Sequence, residues 1–98
     1  MWIYLIKCDE DSLYKIGKSK NPNKRVNQLQ TGNPDKIRIV HQFKTENAGK
    51  VEKYFHNRYN HCKKEGEWFD LDLKEELDFI NNCKKADYNF NYLKENKI

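Results

Sequence analysis

At 98 residues with 35% charged, 37% apolar and 13% aromatic positions, the chain suits one soluble globular domain with a single core, and it leaves no room for a second. No apolar run approaches the ~20 residues that span a bilayer, and the start has no basic segment leading into an apolar stretch, so a soluble intracellular protein of the cytoplasm or nucleus of a host is expected. A net charge of +4 falls short of a dedicated packaging protein and fits an anionic partner and a plain solvated surface about equally well.

Residues 2–7 are aromatic and β-branched and read as a strand; residues 8–12 are a polar turn, and residues 13–19 form a second strand, completing an antiparallel hairpin. Asn21 is a good N-cap with Pro22 at the first helical position, Val26 and Leu29 keep core spacing, and the Thr-Gly-Asn-Pro run of residues 31–34 ends the helix. Residues 36–43 alternate, with Ile37, Ile39, His41 and Phe43 on one face and Arg38, Val40 and Gln42 on the other, which predicts a third strand.

Thr45 is expected to cap a helix over about residues 46–60, with Ala48, Val51, Phe55 and Tyr59 as its apolar stripe and Gly49 as a weak point. The polar residues 61–66 lead to Glu67-Trp68-Phe69, a short extended element whose aromatics close the core. A last helix is expected over about residues 72–85, with Leu73, Leu77, Phe79 and Ile80 as its apolar side and acids near its start. The remaining residues 86–98 carry Tyr88, Phe90, Tyr92 and Leu93, which dock on the body or on a partner.

The expected order is β-β-α-β-α-α. An α+β fold follows, with a three-stranded antiparallel sheet flanked by helices, a domain of residues 1–85 and a tail of residues 86–98. Cys8, Cys62 and Cys83 are odd in number and lack a Cys-x-x-Cys pair, which argues against a disulfide framework or a zinc ribbon. The His61-Cys62 pair has no spacing that points to zinc.

Lys15, Lys18, Lys20, Lys24 and Arg25 crowd into one stretch and form a local basic patch. Ile3-Tyr4 with Ile6, the run Tyr14-Lys15-Ile16-Gly17-Lys18-Ser19, Arg25 after Asn23-Lys24, Glu52 followed by His56, and Glu67-Trp68-Phe69 make a longer pattern. Over residues 2–70 it resembles the GIY-YIG nuclease superfamily, within it the small phage-type, meiotically-up-regulated-gene-113-like branch. Trp2 stands where the first motif has glycine, and Lys15 where the second has tyrosine.

The resemblance implies an endonuclease that hydrolyses DNA with Mg²⁺ or Mn²⁺, one strand per active site, so that cutting both strands needs a homodimer or two binding events. It implies that Tyr4 activates or positions the attacking water; since a free tyrosine has a pKa of ~10, a cation must help, and Lys15 on the same strand face as Gly17 is the helper. Tyr14, one residue off, points to the opposite face and packs.

Arg25 holds the phosphate with its planar fork, Glu52 is the metal ligand, and His56 one turn on either supports the site or caps the core. Lys18, Lys20 and Lys24 steer the DNA backbone. Gly17 permits either a close approach to the sheet or a particular strand-end conformation. In the Glu67, Trp68 and Phe69 signature the aromatics pack, while Glu67 satisfies buried donors or orients Arg25. The alternative is a catalytically weak or inactive nucleic-acid-binding module of the same fold. The Asn, Lys and Ile bias is compatible with an AT-rich phage or viral genome.

Overall fold

The strand β1 (Trp2–Cys8) is apolar on both faces, with Ile3, Tyr4, Leu5 and Ile6 all buried in succession, and the architecture follows from that. A strand of this kind belongs between two layers. The structure, a computed structural model, describes residues 1–9 and 11–96; Glu10 of the first turn and Lys97 and Ile98 of the tail lie outside the described residues.

The antiparallel sheet has four strands, ordered β3-β1-β2-β4, formed by β1, β2 (Leu13–Ser19), β3 (Ile37–Lys44) and β4 (Phe69–Asp70). The helix α1 (Pro22–Thr31) covers one face, where Tyr4, Ile6, Cys8 and Ile37 meet Val26, Leu29 and Trp68. The helices α2 (Ala48–Arg58) and α3 (Leu73–Asn96) cover the other, packing Val51, Phe55, Phe79 and Cys83 on Ile3, Leu5, Tyr14 and Ile16. Phe55 stacks on Phe79 with ring centroids 4.7 Å apart, which adds to the area they bury. No helix among the described residues is long and apolar enough to cross a membrane.

The expected hairpin forms, with Tyr4 opposite Gly17 and Ile6 opposite Lys15. Asn21 caps α1 as expected, its side-chain oxygen accepting from the Lys24 N–H at 3.2 Å, with Pro22 buried at the helix start.

Several expectations are corrected. The sheet has four strands because the segment after the signature Glu67 adds Phe69–Asp70 to the outer edge of β2. In β3 the alternation breaks. The register steps from Leu5 opposite His41 to Ile6 opposite Ile39, so Val40 is an extra residue and the strand changes face there. Ile37 and Ile39 therefore pack under α1, while Val40 and Phe43 pack under α2 and α3.

α2 starts at Ala48 and not at residue 46, with Asn47 as its cap residue. Thr45 acts before the helix, its hydroxyl accepting from the Asn47 N–H at 2.8 Å. α3 does not end near residue 85 but continues to Asn96. Its buried side is Phe79, Cys83 and Ala86, whereas Leu73 and Leu77, expected in the core, are 61% and 65% exposed.

Two tyrosine–glutamate pairs hold the start of α3. Tyr14 donates to Glu76 at 2.6 Å and Tyr59 to Glu75 at 2.5 Å. Burial, reinforced by these bonds to carboxylates, pushes both phenols well above their ordinary range. Glu76 is held below the usual carboxylate range by the Tyr14 hydroxyl, with Lys7 at 3.5 Å adding to the effect. Burial, together with Asp87, pushes the Cys83 thiol up to about 12, so it stays protonated in the core.

Candidate functional site

Within β2 only Leu13 and Tyr14 pair with β4, leaving residues 15–19 on the outer edge of β2 without a strand neighbour among the described residues. α2 takes that place. The His56 ring bonds the Ile16 carbonyl at 2.9 Å through Nε2, which must carry the proton because a carbonyl only accepts. Further along, Lys18 Nζ lies 3.5 Å from where a Cβ on Gly49 would stand.

Gly49, Glu52 and His56 follow one another at one-turn spacing on α2, so they form one row along the helix. One end of the row lies beside the Lys18 ammonium and the other is bonded to the Ile16 carbonyl, which sets Glu52 between those two contacts. Glu52 is half-buried and, among the described residues, makes no hydrogen bond or ion pair. Its carboxylate is free to take a ligand.

Tyr4 reaches the same place from the other face. A Cβ added to Gly17 would stand 2.3 Å from the Tyr4 hydroxyl and 2.6 Å from its Cζ, so the ring lies directly over the glycine. Of the two roles open to Gly17 the structure shows close approach, and what approaches is a side chain. Tyr4 is 3% exposed, and its hydroxyl makes no hydrogen bond among the described residues. No fully shielded side-chain polar atom among those residues lacks a partner, so this hydroxyl opens to solvent. The ring is fixed and its oxygen is available.

Lys15 does not pair with Tyr4. It lies opposite Ile6, and its ammonium sits over the Trp68 ring at 5.7 Å from the centroid. Arg25 is exposed on α1 beside the half-buried Val26 and has no side-chain partner among the described residues. Lys18, Lys20 and Lys24 are exposed around the β2–α1 junction, with Lys18 reaching toward Gly49 of α2 while Lys15 lies on the α1 face against Trp68. Tyr14 points away, into the core on the α2 and α3 side. Trp68 and Phe69 divide between the two faces of the sheet, and Glu67 is exposed at φ 67°, following Gly66 at φ 65°. Glu67 makes no hydrogen bond among the described residues and so orients nothing there.

The structure thus brings Tyr4, Gly17, Lys18, Glu52 and His56 to one stretch of strand edge, with Arg25 on the adjoining helix. A model of the T5orf172 domain matches residues 1–84. The chain belongs to the T5orf172 domain family. The matched span of the T5orf172 domain contains every residue of this edge and stops inside α3, so residues 85–96 of that helix lie beyond it. No curated protein and no solved structure matches the chain.

One group beside the site is not visible in the sequence. Thr45 donates its hydroxyl to Asp87, and Asn47 donates its amide to Asp87 and to Asn91 at 2.8 Å each. Thr45 and Asn47 are buried and lie immediately before α2, so Asp87 and Asn91 anchor the start of the helix that carries Glu52. Their spacing of one helical turn is the only signal in the sequence, and it falls in a segment that reads as tail.

Proposed function

We propose that this T5orf172 domain is a Mg²⁺-dependent endonuclease of the GIY-YIG type that hydrolyses a DNA phosphodiester, one strand per site. The observation that supports this reading is that the Tyr4 hydroxyl lies over Gly17 on one face of the sheet while α2, docked through His56 on the neighbouring Ile16 carbonyl, carries the unpaired Glu52 carboxylate.

The residues fit a Mg²⁺ ion. Among the described residues no three His, Cys, Asp or Glu side chains form a cage, and Mg²⁺ is commonly held by one or two carboxylates, waters and substrate phosphate. Glu52 would hold it. When bound, such an ion supplies positive charge to the phosphate and to the leaving oxygen.

The chain's own groups do the rest. Tyr4 Oη is held rigidly over Gly17 and positions the attacking water, while the Lys15 ammonium on the same sheet face adds positive potential. Arg25 offers two parallel N–H donors to the phosphate oxygens and offsets charge in the transition state. Lys18, Lys20 and Lys24 hold the flanking backbone in a salt-sensitive manner. His56 fixes α2, and with it Glu52, to the edge of β2.

The second reading is a DNA-binding module that has the fold without the reaction. The placement of Lys15 against Trp68 and not against Tyr4 is what favours it. Incubation with supercoiled plasmid separates the two. The nuclease reading expects nicking in Mg²⁺ or Mn²⁺, lost in chelator and reduced at least ~100-fold in Tyr4→Phe and Glu52→Gln, with gel-shift binding retained. Binding without cutting in any metal would establish the module.

A further inference from the structure

The α1 face of the sheet holds a cleft that the proposed reaction does not use. It encloses about 580 Å³ where the β1–β2 turn, the loop from α1 to β3 and the segment around β4 meet. Leu13 and the half-buried Trp68 make its apolar wall, and Asn33, Asp35, Asp11 and Asp70 its polar side. An apolar wall with a few placed polar groups is the make-up of a small-ligand site.

The loop that borders the cleft is held in shape. Gln30 donates to the Asp35 carbonyl and accepts from the Ile37 N–H, and Asn33 Oδ1 accepts from the Asp35 N–H, each at 2.9 Å. Asp11 accepts from the Leu13 N–H at 3.2 Å and Asp70 from the Ser12 hydroxyl at 2.6 Å. The Asp35 carboxylate and the Asn33 amide nitrogen make no bond among the described residues, so fixed backbone presents both to a ligand.

We infer that this cleft takes one unpaired base of the DNA strand whose phosphodiester lies at Tyr4 and Gly17, a placement that rests on the nuclease reading for the course of the backbone. Leu13, Lys15 and Gly17 alternate onto one face of β2, about 7 Å apart. Gly17 lies under the Tyr4 ring, Lys15 sets its ammonium over Trp68, and Leu13 is in the cleft. A strand following this row meets Lys15 with a phosphate and Trp68 with the neighbouring base, which stacks on the indole. A base paired inside a duplex cannot enter such a pocket, so the substrate is single-stranded beside the cut.

Charge selects what enters. Three carboxylates against the single Lys64 ammonium repel a phosphate, so the backbone keeps to Lys15 and only the base passes. Acceptors outnumber donors in the cleft, which suits cytosine and adenine, whose amino groups donate. Uracil and thymine would turn carbonyl oxygens toward carboxylates.

Fluorescence anisotropy of labelled oligonucleotides in chelator, where nothing is cut, tests this apart from the reaction. Short oligodeoxycytidine is expected to bind at least ~5-fold more tightly than oligodeoxyuridine of the same length, and more tightly than its own duplex. Asp35→Ala should abolish the preference while leaving oligodeoxyuridine affinity within ~2-fold, and Trp68→Ala should weaken both at least ~5-fold. Asp35 is exposed on its loop, so its variant keeps the fold even where Trp68→Ala does not. Equal affinity for the two oligonucleotides, a preference that survives Asp35→Ala, or tighter binding of duplex would overturn the base pocket, and plasmid nicking in Mg²⁺ would show the nuclease reading still standing. Tryptophan quenching by spermidine but by no oligonucleotide would overturn it in favour of an organic cation.

Discussion

Gly17→Ala tests the central geometry without relying on any activity. The added methyl would stand 2.3 Å from Tyr4 Oη, 2.6 Å from Cζ and 3.1 Å from Cε1, against an optimum of ~3.5–4.0 Å between carbon atoms. The ring must retreat by more than ~1 Å on a face already packed by Ile6, Val26 and Ile37. Overpacking of this kind costs about 1–3 kcal/mol. Gly17 does not have a positive φ, so alanine meets no backbone penalty. Where Tyr4 is shortened to leucine, the same methyl faces open space and replaces a flexible strand glycine, a gain of about 0.5–1 kcal/mol.

The expected result is a change of sign. Urea unfolding of wild type, Gly17→Ala, Tyr4→Leu and the double variant should give a coupling of about 1.5–4 kcal/mol between the two sites. Equal effects of Gly17→Ala in both backgrounds, within ~0.5 kcal/mol, would refute the placement of Tyr4 over Gly17. The functional consequence is equally definite. Displacing Oη by an ångström should cost plasmid nicking roughly 100-fold, as much as removing the hydroxyl. Tyr4→Phe itself should leave stability within ~0.5 kcal/mol, because the hydroxyl has no hydrogen-bond partner among the described residues.

Asp87→Ala strands the buried Thr45 hydroxyl and leaves the Asn47 amide only its bond to Asn91, and should cost about 1–3 kcal/mol in urea unfolding, whereas Asp87→Asn, which keeps an acceptor, should cost less. His56→Ala removes the donor to the Ile16 carbonyl and the edge contact with Phe69, for about 1–2 kcal/mol, and amide exchange should rise first in α2. Tyr14 and Tyr59 hold their protons more tightly when folded, so between pH ~10 and their raised folded values the unfolded chain binds fewer protons and stability falls with rising pH. Each tyrosine contributes about 1.4 kcal/mol per pH unit to that slope, and a Tyr14→Phe, Tyr59→Phe double variant should flatten it in alkaline denaturation.

The hairpin, α1 and its cap were legible in the sequence because local signals determine them: alternation, Asn21 as cap, and Pro22 where a missing N–H costs nothing. β3 was only half legible. A bulge is set by partner strands and not by its own residues, so an unbroken alternation in the chain conceals a change of face at Val40. β4 is partly legible, since residues 67–69 read as extended, but two residues carry no period that would name their partner strand; Thr45 lies two residues before the cap residue Asn47 and bonds its N–H. Within the site, the motif residues were visible but their relations were not. The relation of Lys15 to Tyr4 depends on cross-strand register, which pairs Tyr4 with Gly17 and leaves the lysine to Trp68.

α3 shows most clearly how a periodic pattern can be correct and still point the wrong way. Leu73 and Leu77 share a helical face with each other, and Phe79 and Cys83 share another, so the first turns alone offer two candidate core stripes. Glu75 and Glu76 flank the second stripe, which on composition alone marks it as the solvent side. In the folded chain those two carboxylates are the reason it can be buried: each accepts a tyrosine hydroxyl from the body, Tyr59 and Tyr14, so the acids are satisfied at the core margin and need not face water. The helix turns its glutamates inward to bond those tyrosines, and the leucines are carried to the surface with Tyr88 and Tyr92. The exposure of Leu73 and Leu77 and the burial of Phe79 and Cys83 both come from this one rotation.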